Sequence, residues 1–188
     1  LLTRSRTEAS SAWADVRPAP ILDATRGRTQ LQVPFSVGGD SLRLRLEESG
    51  TSHVLDLPLA PVSPAVFVVN GEPLILDAGT GALIGWSRPA KAGGNVLVMM
   101  AGLGAVDPPW PAGMPAPSGG ATPRPRAGVT ASLGGVPAQV ASMQLAPGYI
   151  GMYLVEIAIP TATVQGEARL VIEADGRASN AVSVIIGR

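Results

Sequence analysis

Strict alternation of apolar and polar residues is the dominant signal along this chain. In the stretch 41–47, SLRLRLE, the leucines at 42, 44 and 46 face one way and Arg43 and Arg45 the other, as in a strand buried on one face. Gly38, Gly39 and Asp40 turn the chain before it, and Glu48, Ser49 and Gly50 turn it afterwards. The next run, 53–59, sets Val54 and Asp56 against Leu55, Leu57 and Leu59, and Pro58 predicts a sheet edge or a strand end. Further strands are predicted over 65–70, 73–78, 96–101, 129–133, 138–143, 153–159, 168–174 and 181–186. Short strands spaced by about 8 to 12 residues and punctuated by Gly and Pro predict an all-β sandwich or barrel. The one helical competitor is 7–16, TEASSAWADV, which is short and rich in Ala.

The closing half of this pattern occurs twice. LQVPFSVGGDSLRLRLEESG, residues 31–50, returns as IAIPTATVQGEARLVIEADG, residues 157–176. Setting Val33-Pro34 on Ile159-Pro160 gives an offset of 159 − 33 = 126, which also lays Arg43-Leu44 on Arg169-Leu170 and Gly50 on Gly176. One inserted residue then sets Ser52-His53 on Ser179-Asn180. Upstream, Pro18-Ala19 matches Pro137-Ala138 at an offset of 119, and the seven-residue difference falls in APGYIGM, 146–152. Ahead of the matched part, copy two has PAVFVV, PLILDA and NVLVMMA within 63–128, whereas copy one has only residues 1–6. The chain is therefore divided into an incomplete module with an N-terminal arm, 1–62, and a complete module, 63–188.

A sandwich without its opening strands exposes apolar surface and unpaired backbone, and a module of this size buries too little area to be comfortable alone. Three segments could fill the gap: the arm 1–14 folding back, sequence upstream of this chain, or a strand from a neighbouring subunit, as in donor-strand complementation. The first residue is Leu rather than Met, so the chain is expected to begin inside a longer precursor.

Composition narrows the function classes. Hydrophobic residues make up 46% and aromatics 4%, so the core must be built from Val, Leu, Ile and Ala. Gly and Pro, at 23 and 18 residues, are well above average usage and imply many turns and few long helices. Fourteen basic and fourteen acidic residues cancel, leaving no general field for phosphate backbones or anionic lipid. Nucleic acid and membrane insertion are not expected. The chain has no Cys, which removes disulfides, thiolate nucleophiles and thiolate metal sites together.

Candidate chemistry is sparse. His53 is the only histidine and the only ordinary base near neutral pH, yet it aligns with Asn180 at a strand start, where a polar side chain bonds local backbone. Ser49 or Ser52 with His53 and Asp56 would supply the residue types of a hydrolytic triad, but no G-x-S-x-G elbow accompanies them. Glu48 and Asp175 fall in matching turns, which points to turn chemistry rather than to a glycosidase pair. The glycines of 93–94 and 102–104 lack GxGxxG or Walker spacing and read as turns and bulges. No catalytic, cofactor-binding or metal-ligating residues are therefore assigned, and no cofactor is expected.

Two segments suit partner contact. DPPWPAGMPAPSGGATPRPR, 107–126, is a long Pro-rich loop carrying Trp110 with Arg124 and Arg126 at its basic end. Tyr149 and Tyr153 gather near Gly148 and Gly151, where they could stack on sugar or pack internally.

PAKAGGNVLVMMAGLGAVD (89–107), PPWPAGMPAP, SLGGVPAQVASMQLAPGYIGMYLVEIAIP and the terminal SNAVSVII occur in order over 61–188. Together they closely resemble the uncharacterised C-terminal domain family of secreted acidobacterial proteins, and TQLQVPFSV resembles the tail of the immunoglobulin-like module that precedes it. The resemblance implies two immunoglobulin-like β-sandwich modules in tandem, on a secreted or surface-attached bacterial protein, and brings no catalytic residues. The expected function is an extracellular structural protein, a filament or surface-layer subunit whose first module is completed by a neighbour's strand, with self-association as the main partnership. The alternative is a non-catalytic adhesion or carbohydrate-binding module of a larger secreted protein, meeting surface proteins or glycans.

Overall fold

The computed structural model describes residues 2–5, 15–48, 50–163 and 165–187. These residues contain strands and no helix. The chain opens with β1 (Leu2–Ser5) and β2 (Asp15–Pro18), continues through a hairpin of β3 (Ile21–Thr25) and β4 (Arg28–Leu31), and then forms β5 (Ser41–Glu48) and β6 (Thr51–Pro58). The C-terminal part begins with β7 (Ala65–Val66), a hairpin of β8 (Val68–Val69) and β9 (Glu72–Pro73), β10 (Ile75–Asp77), β11 (Ala90–Lys91) and β12 (Asn95–Ala101). A ribbon of β13 (Val106–Asp107) and β14 (Arg124–Pro125) leads to β15 (Val129–Leu133), β16 (Val136–Ala138), β17 (Val140–Leu145) and β18 (Tyr153–Ala158). Last come β19 (Gly166–Ala174), β20 (Arg177–Ala178) and β21 (Val182–Gly187).

The C-terminal part is sandwich-like. One sheet has the order β10-β12-β18-β17, with β7 also on β12; the other has the order β11-β21-β19-β15-β16, with β20 on β19. Alternation dictates the packing: Val96, Val98 and Met100 of β12 and Val155 and Ile157 of β18 share one core with Leu170 and Ile172 of β19 and Val184 and Ile186 of β21. Each such side chain, fully buried, stabilises the fold by about 1.5–3 kcal/mol.

The described residues of the N-terminal part repeat the later half of this pairing and do not include the earlier half. Its sheet runs β2-β1-β5-β6, with the β3–β4 hairpin separate. Leu44 faces Leu55 as Leu170 faces Val182, and Leu42 faces Leu57 as Ala168 faces Val184. Leu2 sits between Pro18 and Arg45 as Ser132 sits between Pro137 and Val171. Even an irregularity recurs, with register shifts between Ile21 and Asp23 and between Val140 and Ser142. The offsets of 119 and 126 read from the sequence are thus the offsets of the strand pairing, and the seven extra residues, 146–152, join β17 to β18.

Two expectations change. Of the arm 1–14, only residues 2–5 are described, and they pair with β5 in the place of β15, not in that of β7 to β12, whose counterparts are missing from the described residues of the N-terminal part. Among its described residues the first part has six strands rather than the four or so expected, because β3 and β4 are largely exposed and carry little alternation. Of the helical competitor 7–16, residues 7–14 lie outside the described residues, and Asp15 and Val16 belong to β2.

Candidate functional site

The candidate site is the face left uncovered by the missing strands. In the C-terminal part β18 lies between β12 and β17, whereas β4, its counterpart, pairs only with β3 among the described residues. Likewise β21 has β11 at its outer edge, whereas β6 ends its sheet. Matched positions differ sharply in exposure: Leu55 and Leu57 are 53% and 41% exposed where Val182 and Val184 are 7% and 1%, and Val33 is 40% exposed where Ile159 is 3%. Covering these three side chains would contribute on the order of 3 kcal/mol. Leu42 and Leu44, by contrast, are already buried.

His53 fits the same picture. Its counterpart Asn180 clamps β7, accepting from the Val66 N–H (2.7 Å) and donating to the Val66 carbonyl (3.1 Å). His53 stands at the place from which an opening strand is held, and that strand has no counterpart among the described residues. Ser49 lies outside the described residues, and among those described no hydrolytic triad assembles around His53. His53 and Asp56 project to opposite faces of β6, and Asp56 is engaged by the guanidinium of Arg43 across the pair.

A cavity of about 740 Å³ lies where the two parts meet. Leu31, Val33 and Leu59 line it from the N-terminal part, and Leu103, Ile150 and Tyr153 from the C-terminal part. Phe35 closes one side by meeting Tyr153 edge to face, with ring centroids 6.4 Å apart. Gln32 is buried, and its Oε1 accepts from the Gly113 N–H (2.7 Å). The linker is held by close backbone approach: the Ser63 N–H donates to the Gly102 carbonyl (2.8 Å), and a Cβ at Gly102 would stand 1.7 Å from the Ser63 carbonyl oxygen. Gly102 and Gly104 therefore serve the junction, in keeping with the turn-and-bulge reading of that stretch.

The five residues singled out for partner contact divide. Trp110 packs against the core and donates its indole N–H to the Met114 carbonyl (3.3 Å). Its loop is closed at the base by β13 and β14 and touches the N-terminal part at Gln32 and Pro20, so it packs across the junction. Arg124 lies exposed in β14, and Arg126, also exposed, pairs with Asp107 (3.4 Å). Tyr153 is in the core; its hydroxyl donates to the Gly104 carbonyl, and burial pushes its pKa up. Of the three aromatics Tyr149 is the exposed one, on a loop tied to Ala116 by the backbone bonds of Gly148 and Tyr149.

A second apolar surface was not singled out in the sequence. Val68, Val69, Leu83 and Trp86 are all exposed, and the alternation signal hid them because 65–70 reads as a single strand. The Asn70-Gly71 pair inside an apolar run is the signal that marks the hairpin. Among the described residues no group of three or more metal-ligating side chains occurs, and no helix is long and apolar enough to cross a membrane. A scan against protein-family models finds no match, and searches of curated proteins and of solved structures find none either.

Proposed function

We propose that the chain is a non-catalytic, extracellular structural protein of two immunoglobulin-like modules that self-associates, the incomplete first module being completed by a strand from a neighbouring subunit. The observation that carries this reading is the exposure of Leu55, Leu57 and Val33 where the matching residues of the second module are covered by β12 and its neighbours. Strand order supports the module type: β10-β12-β18-β17 opposite β21-β19-β15 follows the A-B-E-D and G-F-C sheets of an immunoglobulin-like sandwich. The resemblance to the secreted acidobacterial domain family supports the extracellular setting. An edge strand with an open apolar groove is the ordinary acceptor for β-strand addition.

The test is assembly state. Light scattering and electron microscopy of the purified chain are expected to give concentration-dependent oligomers or filaments, and Leu57→Asp to lower the association constant at least tenfold without loss of fold. A chain that stays a folded monomer at high concentration sinks the proposal. Tyr149, exposed on the loop 146–152, supports a second reading as an adhesion module. Glycan or protein binding lost in Tyr149→Ala, with assembly unchanged, would favour it.

A further inference from the structure

The β8–β9 hairpin is built to protrude. Asn70 and Gly71 both take positive φ (53° and 86°), the geometry of a tight two-residue hairpin turn. The Leu74 N–H closes its base on the Phe67 carbonyl (2.8 Å), and among the described residues β8 pairs only with β9, leaving its other edge open. Immediately afterwards the chain doubles back along β10: the Asp77 N–H donates to the Ala82 carbonyl and the Ile84 N–H to the Ile75 carbonyl, both at 2.8 Å. Gly85 and Arg88 then exchange two backbone bonds (3.0 and 3.1 Å), making Trp86-Ser87 a two-residue tip. Hairpin and tip both leave the sheet next to Leu74 and Ile75, Leu83 lying along β10 opposite Leu76, so two adjoining excursions carry the exposed Val68, Val69, Leu83 and Trp86. Trp86, 73% exposed, is held on a bonded turn and needs no ordering before it meets a partner.

The open groove of the N-terminal part has two edges, and they are not equal. The edge matching β4 is covered in the C-terminal part by the seven residues of β12, whereas the edge matching β6 is covered only by the two residues of β11. The junction cavity lies on the β4 side, where Leu31 and Val33 line it, and Pro58 blunts the end of β6. Charge adds one point: Arg26 is exposed at the turn before β4 and Glu72 is exposed on the hairpin, whereas Arg28, the first residue of β4, is held by Asp23 within its own hairpin (2.9 Å).

Resting on the strand-acceptor reading of module one, we propose that the donor is the β8–β9 hairpin of a second copy of this chain. It adds its open edge to β4, with Trp86 as the apolar anchor over the cavity. Donor and acceptor are different surfaces of one chain, so the contact is heterologous and propagates into an open array.

The test uses the full chain and variants at exposed positions. Trp86→Ala is expected to weaken association about thirtyfold, as for an aromatic anchor, and Val54→Asp, on the opposite face of β6, to leave it unchanged. A donor-deficient chain (Val69→Asp with Trp86→Ala) mixed with an acceptor-deficient one (Leu57→Asp) should form dimers that grow no further. Because the chain has no Cys, Ser87→Cys mixed with Thr29→Cys should form a disulfide-linked dimer faster than either variant alone. Unchanged assembly of the donor-deficient chain, while Leu57→Asp abolishes it, overturns the hairpin as donor and leaves the acceptor standing. Unchanged assembly of Leu57→Asp, its fold verified by thermal melt, overturns both.

Discussion

Gly102 illustrates how much one missing Cβ decides. Its φ is +77°, and a Cβ there would stand 1.7 Å from the Ser63 carbonyl oxygen, which is backbone and cannot swing aside. Gly148, at φ +79°, has nothing within 4 Å of the same position. Gly102→Ala therefore adds overpacking to the left-handed penalty and is expected to lower stability by about 3 kcal/mol or more, against about 1 kcal/mol for Gly148→Ala. Urea unfolding of the two variants measures the difference, and equal losses would show that the linker gives way freely. The sequence marks both residues as turn glycines and cannot rank them, because the clash is with a segment some forty residues away. Tyr153 was ambiguous for a similar reason: a tyrosine at a strand start packs or presents its ring according to what the opposite sheet places over it. Here Phe35 and the Gly104 carbonyl take it into the junction.

At the level of elements, alternation located the strands that bury one face and missed those that do not. β12, β18, β19 and β21 were legible because burial on one side enforces a period of two. β3 and β4 were not, because no sheet covers them and ILDAT and RTQL carry no such pattern. The turn after β10 was also illegible, since side-chain capping rather than hydrophobicity sets it. Asp77 accepts from the Thr80 hydroxyl (2.8 Å), the Thr80 N–H (2.8 Å) and the Gly79 N–H (3.1 Å). Chiefly through the Thr80 hydroxyl, and then the Thr80 N–H, these bonds hold its pKa below the ordinary carboxylate value. A lowered folded-state pKa stabilises the turn fully above the unfolded value of about 3.9 and is lost as pH falls through the folded one. Amide protection relative to the intrinsic rate at 79–88, including the Trp86 tip, is thus expected to fall below about pH 4, and Asp77→Ala to show the lower protection already at neutral pH. Equal protection in the variant would mean that the backbone bonds of Ile84 and Gly85 hold the turn unaided.

For the whole molecule, the repeat was legible because pairing offsets are preserved residue by residue, and the open groove because one copy lacks partners that the other has. What the sequence hides is how far the N-terminal part leans on its neighbour. The continuous core belongs to residues 62–186, and Phe35 packs against it from the N-terminal part. Gln32 reaches Gly113, and the Gly102 and Gly104 backbones back onto the linker. The C-terminal part should therefore fold by itself, losing the cover of Phe35 over Tyr153, on the order of 1–3 kcal/mol. The N-terminal part, with Leu42 and Leu44 as its own buried leucines, should not. Expressed separately, residues 63–188 are expected to unfold in one cooperative transition and residues 1–62 to show none. Adding the first fragment to the second should restore part of the lost stability through Phe35 and Gln32, and Phe35→Ala in the first fragment should reduce that gain. A cooperative melt of 1–62 alone would mean that the half-sandwich closes its own groove, and the exposed leucines of β6 would then no longer call for a neighbour.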